Sequence, residues 1–240
     1  MVYITGDTHA DDRDFRWHWL NEHLTSDDTL IITGDFGFDW HKLTVNTWEC
    51  MERKYTTLFC DGNHENFDVL ASLPLVEKYG DVVGKFCDNT YRLLTGHMYL
   101  IEGEKYFVFG GASSIDKEWR VVEEQRTHSP RTLWWEEEVP SSEDFALAQK
   151  TLAENDYKFD YFISHTCNSQ LKNVLLGGKG FPDPTESMLT SLEYLIRENE
   201  GEWKASFFGH FHQNKIFGKY HCLYGDVVDT MGDPQIDNKY

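Results

Sequence analysis

The chain has 240 residues, 41 acidic against 22 basic, for a net charge of −19, and 40% are hydrophobic, including 8 Trp and 16 Phe. That charge repels nucleic-acid phosphates and lacks the basic footprint of a duplex binder. No apolar run approaches the roughly 20 residues that span a bilayer, and the N-terminus enters a strand with no basic leader or cleavage site, so a cytoplasmic protein is expected.

Val2–Thr5 is a short β-like run ending in Gly6-Asp7-Thr8-His9. From Asp14 to Leu24, the residues Phe15, Trp19, Leu20 and Leu24 recur at helical spacing. Thr29–Thr33 reads as a second strand ending in Gly34-Asp35, and a helix is expected over about 43–54. Tyr55–Cys60 is the third strand, and it runs into Asp61-Gly62-Asn63-His64-Glu65. Strand, helix and strand at these lengths argue for parallel βαβ units.

Leu93–Glu102 and Lys105–Gly110 flank Gly103 as a hairpin. Residues 112–140 show no clear period and carry Arg120, Arg126, Arg131, Trp119, Trp134 and Trp135. Loops this long inside a domain are usually functional or disordered, and the tryptophans argue against disorder, so the segment reads as an insertion bordering an active site. Ser141, supported by Asp144, is expected to cap a helix that reaches about Asn155. The strand Phe159–Ile163 follows, ending in Ser164-His165.

The glycine-rich Gly177-Gly178-Lys179-Gly180 is a weak phosphate-loop signal, because no strand leads into it and no Ser or Thr follows the lysine. A helix near Glu186–Glu200 precedes the strand Trp203–Phe208 and its ending, Gly209-His210-Phe211-His212. Lys215–Phe217, His221–Tyr224 and Asp226–Asp229 read as terminal strands of a second sheet. With 6 Pro, no linker and no repeat, residues 1–240 read as a single domain. The five cysteines are scattered without a Cys-x-x-Cys pair, which counts against disulfides or a thiolate zinc site.

Five polar fragments thus follow five β-like runs. Singly, a His or Asp at a strand end is more often a satisfied polar group than a ligand. In a sheet covered by helices, however, the carboxyl ends of neighbouring strands converge on one crevice, and five such fragments make a constellation. Asp7, His9 and His212 suit one divalent ion. Asn63, His165 and His210 suit a second, with Asp35 bridging. Mixed imidazole and carboxylate ligands fit Mn, Fe or Zn, with Mn favoured, better than Ca or Mg. Two such ions clamp a phosphoryl group and generate a bridging hydroxide at neutral pH for in-line attack. His64, next to a ligand but not one itself, is the candidate catalytic imidazole. Arg120, Arg126 and Arg131 are candidates to grip phosphate oxygens.

Asp7-x-His9, Gly34-Asp35, Gly62-Asn63-His64-Glu65, His165 and Gly209-His210-x-His212, in this order, resemble the calcineurin-like metallophosphoesterase superfamily. The resemblance implies an α/β fold built as a four-layer αββα sandwich with two central mixed sheets. It also implies the ligand set above, with His64 as the non-ligand catalytic residue. The second histidine of Gly-His-x-His is similar to the phosphodiesterase and nuclease branches. The middle segment, Gly110–Arg120 through Trp134–Glu137, resembles a bacterial and phage-type metallophosphatase subgroup. Phe36-Gly37-Phe38-Asp39 in place of Asp-Arg-Gly, and Ala10 after His9, count against protein dephosphorylation.

The expected function is hydrolysis of a small, nucleotide-like phosphate mono- or diester. Two readings compete with it. The acidic surface counts against a single-strand nuclease. The complete ligand set counts against a catalytically silent scaffold of the same fold.

Overall fold

The structure, a computed structural model, describes residues 1–10, 15–37, 52–127 and 132–236. Most of the helix expected over 43–54 lies outside the described residues, as do Cys50 and Arg131.

Three short strands, β1 (Val2–Thr5), β2 (Thr29–Ile32) and β3 (Thr56–Phe59), lie side by side in parallel, with Val2 opposite Thr29 and Thr29 opposite Thr56. Successive side chains of a strand point to opposite faces, and that period sorts the apolar residues. Ile4, Ile31 and Leu58 point to one side of the sheet. Leu30, Ile32 and Phe59 point to the other, against Trp17 and Leu20 of α1 (Phe15–His23) and Phe67 and Leu70 of α2 (Phe67–Ser72). The sheet continues through β6 (Thr90–Leu93), parallel to β3, and then antiparallel β5 (Asp81–Lys85) and β4 (Leu75–Lys78). At its other edge β13 (Val228–Asp229) runs antiparallel to β1, which gives the order β13-β1-β2-β3-β6-β5-β4.

A second sheet, of six strands, begins with the hairpin β7 (Met98–Ile101) and β8 (Glu104–Phe109). Then β9 (Tyr161–Ser164), β10 (Ala205–Phe208) and β12 (Tyr220–Cys222) follow in parallel, with β11 (Lys215–Phe217) antiparallel at the edge. Its inward residues Tyr106, Val108, Tyr161, Ile163 and Phe207 meet Ile4, Ile31 and Leu58 between the sheets. Its outward residues Phe107, Phe109 and Phe162 pack on α4 (Ser142–Glu154) and α6 (Pro184–Glu198) through Ala148, Leu152, Leu189, Leu192 and Ile196. A shorter helix, α5 (Ser169–Leu176), covers Phe208 with Leu171 and Leu175. Each fully buried Leu, Ile or Phe contributes about 1.5–3 kcal/mol. Three apolar interfaces stacked in this way are the αββα sandwich, with two mixed sheets.

Ser141 accepts from Asp144 N at 3.1 Å, and Asp144 Oδ2 accepts in turn from Ser141 N at 2.8 Å, so the expected cap is a full capping box. Three expectations need correction. Residues 226–229 do not join the second sheet, because Val228 and Asp229 pair with β1 of the first. The run from Leu93 to Glu102 is broken by the turn around Gly96, so Leu93 belongs to one sheet and Met98 to the other. Residues 112–140, read as aperiodic, contain α3 (Lys117–Thr127) and a 3-10 turn at Glu136–Glu138. The one buried residue of α3 is Arg120, while Trp119 and Val122 are exposed, so the helix has no apolar stripe to read.

Candidate metal centre

Asp7 and His9 follow β1, Asp35 follows β2, Asn63 and His64 follow β3, His165 follows β9, and His210 and His212 follow β10. Every fragment therefore leaves the carboxyl end of a strand, and the two sheets deliver them to one crevice. Five of the eight residues hold left-handed backbone: Asp7 (φ 49°), His9 (φ 47°), Asp35 (φ 50°), His210 (φ 68°) and His212 (φ 50°). Such conformations cost on the order of 1–3 kcal/mol each and persist where surrounding structure over-determines them, as at ligand clamps. Gly34 has φ +87°, and a Cβ there would stand 2.4 Å from His165 Nδ1, so only glycine lets that ring approach β2.

The contacts fall into two halves joined by Asp35. In one, His9 Nε2 lies 3.1 Å from His212 Nε2 and 3.5 Å from Asp35 Oδ2. In the other, His165 Nε2 lies 3.3 Å from Asp35 Oδ1 and 3.0 Å from Asn63 Oδ1, which is also 3.0 Å from His210 Nδ1. His165 Nδ1 donates to the Thr33 carbonyl at 2.8 Å, so its Nε2 faces the cluster with a lone pair once that nitrogen loses its proton. Asp7 accepts from His210 N through both oxygens, at 2.9 and 3.0 Å. Among the described residues, three sets bring donor atoms within 4.8 Å of one another: Asp7, His9, His212; Asp7, Asp35, His165; and His9, Asp35, His64. Hard carboxylates and borderline imidazoles gathered this tightly fit a divalent transition metal.

Electrostatics point the same way. Burial would raise Asp35, but the His165 imidazole beside it, with His64 and His9, holds the carboxyl well below the usual range. Burial would lower His165, but Asp35 and Asp7 push it up to about 9. Asp7 is pushed up to about 7 by burial and by Asp35. Burial lowers His9 to about 4 and, together with the neighbouring His165, His210 to about 3. The cluster thus stacks several imidazoles that resist protonation on one that must surrender a proton before it can bind a metal.

Four residues without an assigned role in the sequence reading hold this arrangement. Buried Arg16 of α1 donates to Thr5 Oγ1 (2.8 Å), the Gly6 carbonyl (2.5 Å) and the Asp7 carbonyl (3.1 Å), pinning the turn after β1. Buried Glu65 accepts from Phe36 N (2.8 Å) and Gly37 N (3.1 Å), pinning the turn after β2, and burial with nearby Asp35 raises it to about 8. Asn63 Nδ2 donates to Ser114 Oγ at 3.1 Å, and Ser114 Oγ donates to Glu138 Oε2 at 2.7 Å. That relay turns the Asn63 oxygen toward His165 and His210. Glu65 sits in a quartet the sequence singles out, whereas Arg16, Ser114 and Glu138 carry no local signal.

His64 is exposed at the crevice, its backbone N–H held by Asp35 Oδ1 at 2.8 Å. Arg120 of α3 reaches it, with Nη2 at 2.9 Å from Nδ1 and 3.1 Å from Nε2, while Asp116 holds Nε at 2.9 Å. The middle segment therefore meets the crevice. Arg126 does not: it is exposed and forked onto Glu123 at 2.6 and 2.8 Å. Trp134 donates to Glu138 Oε1 at 2.7 Å and so pins the segment, while Trp119 points to solvent. Asp35, Asn63, His64, His210 and His212 form one wall of a cavity of about 620 Å³.

A two-sheet αββα sandwich with imidazoles and carboxylates at its strand ends defines a class of metal-dependent phosphoric ester hydrolases, and sequence comparison narrows it. The chain matches the calcineurin-like phosphoesterase family over residues 1–214 and belongs to it. No curated protein sequence matches. Among solved structures, phosphopantetheinyl hydrolase (PptH) from Mycobacterium tuberculosis is similar at 16% identity and a TM-score of 0.46, over 93% of this chain and 87% of that one. A protein of unknown function, AQ665 from Aquifex aeolicus, is similar at 11% identity and a TM-score of 0.41, over 94% of this chain and 89% of that one. No helix among the described residues is long and apolar enough to cross a membrane.

The pKa directions fix an expected pH dependence. Asp7, Glu65 and His165 all bind protons more tightly in the folded state than in the unfolded chain, whose values lie near 3.8, 4.5 and 6.5. Their contribution to stability is therefore complete at low pH and lost as pH rises through about 7, 8 and 9. His9 and His210 act oppositely, but only below pH 6.5. Chelated protein should therefore show a falling Tm from pH 6.5 to 9, while affinity for a divalent metal rises over the same range as the metal displaces protons. Thermal melts with and without chelator check this, and a chelated Tm that climbs with pH would contradict it.

Proposed function

We propose that the chain hydrolyses a small phosphate ester with two divalent transition-metal ions, Mn favoured. Asp7, His9 and His212 would hold one ion, Asn63, His165 and His210 the other, with Asp35 between them. The observation that carries this reading is the Asp35 carboxylate, whose Oδ2 faces His9 at 3.5 Å while Oδ1 faces His165 at 3.3 Å. One carboxylate addressing two halves of a cluster is what a bridging ligand requires. When bound, such an ion pair supplies Lewis acidity toward phosphoryl oxygens and activates water at neutral pH.

The protein's own groups do the rest. The strained turns hold the ligands at fixed positions, so little reorganisation is needed when charge develops. Arg120, its Nε tied to Asp116, presents the other edge of its guanidinium beside His64, where a fork can meet a non-bridging phosphate oxygen. His64 is the group that can give a proton to the leaving oxygen or stabilise charge there.

The small cavity and the net charge of −19 support a small substrate over a nucleic-acid strand. Four free cysteines among the described residues suit a reducing, cytoplasmic setting. The test is a screen of phosphate mono- and diesters, including nucleotides, cyclic nucleotides and oligonucleotides, with added Mn and a chelator control, alongside metal analysis. Two ions per chain and chelator-sensitive hydrolysis are expected. Metal-independent turnover, or no turnover on any ester, would end this reading.

A further inference from the structure

The cavity that starts at the metal centre does not end there. Its remaining lining comes from Ile115 and Asp116, just before α3, from Phe211, from Leu176 at the end of α5, and from Lys179, Gly180 and Phe181 in the loop that follows. This is the glycine-rich loop that fails as a phosphate cradle by sequence. It is built rather than loose. Gly177 closes α5 in the left-handed conformation (φ 60°), and Gly178 N donates to the Asn173 carbonyl at 2.8 Å. Buried Lys172 donates to the Phe181 carbonyl at 2.6 Å and ion-pairs with Glu186. A buried ion pair thus fixes the backbone of a residue whose ring is 74% exposed, and Ile115, from a separate segment of the same lining, is 80% exposed.

Apolar groups held in the open beside a reactive centre are a contact surface for a ligand's apolar body. Lys179 adds a charge to that surface. The chain has almost twice as many acids as bases, yet among the described residues Lys179 forms no ion pair and no side-chain hydrogen bond. A cation left free on the lining of such a cavity, in so acidic a protein, is suited to an anionic group of the substrate.

We propose that the substrate is a phosphate ester of an apolar, aryl-like alcohol bearing a second anionic group. Ile115, Leu176, Phe181 and Phe211 contact the apolar body, and Lys179 engages the second anion, a carboxylate or a second phosphate. This rests on the phosphoesterase reading above and adds the identity of the leaving group.

The experiment compares phenyl phosphate, 4-carboxyphenyl phosphate and 1,4-phenylene bisphosphate on the Mn-loaded wild type, Lys179→Met and Phe181→Ala. A charge-assisted contact is worth about ten- to a hundredfold. Wild type should favour at least one doubly anionic ester over phenyl phosphate by about tenfold or more in kcat/KM. Which one it favours tells carboxylate from phosphate. Lys179→Met should erase that preference while leaving phenyl phosphate within about twofold. Phe181→Ala should weaken all three aryl esters relative to methyl phosphate. Equal loss on all esters in Lys179→Met would mean that the lysine serves the scissile phosphate, and would overturn the proposal, as would a wild type with no preference.

A binding arm separates this from failure of the hydrolase reading. Calorimetry with non-hydrolysable phenylphosphonate and 4-carboxyphenylphosphonate, together with a bisphosphonate counterpart, reads the Lys179 contact without turnover. If wild type binds the doubly anionic probes more tightly and Lys179→Met does not, the Lys179 contact to a second anion stands even where no ester is cleaved, and it is the hydrolase reading that fails. If all the probes bind alike, it falls even where phenyl phosphate is hydrolysed.

Discussion

Asp35→Asn is expected to leave the protein unable to hold two metal ions and to lower phosphate ester hydrolysis by roughly 10³-fold, the scale of losing a group that stabilises transition-state charge. The substitution keeps the size of the side chain but removes its charge, and it turns one oxygen into an N–H donor. Either orientation of the amide fails. If the nitrogen faces His9, one half of the cluster loses its acceptor, and if it faces His165, the other half does. His165 is fully buried and is held protonated largely by Asp35, so the same change lowers its pKa and frees its Nε2 in the metal-free protein. Breaking a buried pair by removing one partner costs about 3–5 kcal/mol unless the survivor neutralises. Chelated Asp35→Asn should therefore melt below wild type at acidic pH, and the gap should narrow as pH rises. His9→Ala, by contrast, touches one half and should retain one ion per chain. Metal analysis of the two variants side by side decides the point: two ions retained in Asp35→Asn would remove the bridging assignment.

The strands were legible because they are short apolar runs, buried on both faces, whose ends carry residue types able to bind metal. Tyr55–Cys60 announces itself by its composition, and Asn63-His64 marks where it must turn. Gathering Asp7, Asp35, Asn63, His165 and His210 into one crevice also followed from the pattern, since parallel strands feed a common edge. The supporting groups were not legible. Arg16 sits on a helix with no strong amphipathic signal, and its partners are backbone carbonyls that no sequence pattern advertises. Ser114 and Glu138 act through an amide 51 residues from the serine, and only the fold makes them neighbours. The helix α3 was hidden for a related reason. It is anchored by an arginine rather than a leucine, so periodicity, which reads apolar burial, finds nothing there. The three arginines of that segment were indistinguishable by sequence. Arg120 and Arg126 differ only in what lies opposite them, His64 for one and Glu123 for the other.

His64→Asn tests the mechanism, and the expected result depends on the leaving group. The backbone of His64 is fixed through its N–H to Asp35 and by its neighbour Asn63, whose oxygen meets His165 and His210, so the variant should keep the proposed metals. Losing general-acid help costs about 10²–10⁴ in rate. An alkoxide leaves badly without a proton, whereas a nitrophenolate leaves readily as the anion. Alkyl phosphate esters should therefore show the full loss, and a nitrophenyl ester should be spared to a measurable degree. Arg120 sharpens the case. Although the residue is exposed, desolvation by the crevice around its ring lowers the His64 pKa, and the guanidinium at 2.9 Å lowers it further against the pull of Asp35, so the ring on its own favours the neutral form. An acid role thus requires the substrate's phosphate to settle against Arg120 and offset its charge, which couples binding to protonation. Arg120→Met should then weaken substrate binding while moving the alkaline limb of the pH profile, where a general acid loses its proton, to higher pH. Equal losses on alkyl and nitrophenyl esters in His64→Asn, with metals retained, would make the imidazole a stabiliser of charge rather than a proton donor. No loss on either ester would place the catalytic group elsewhere in the crevice.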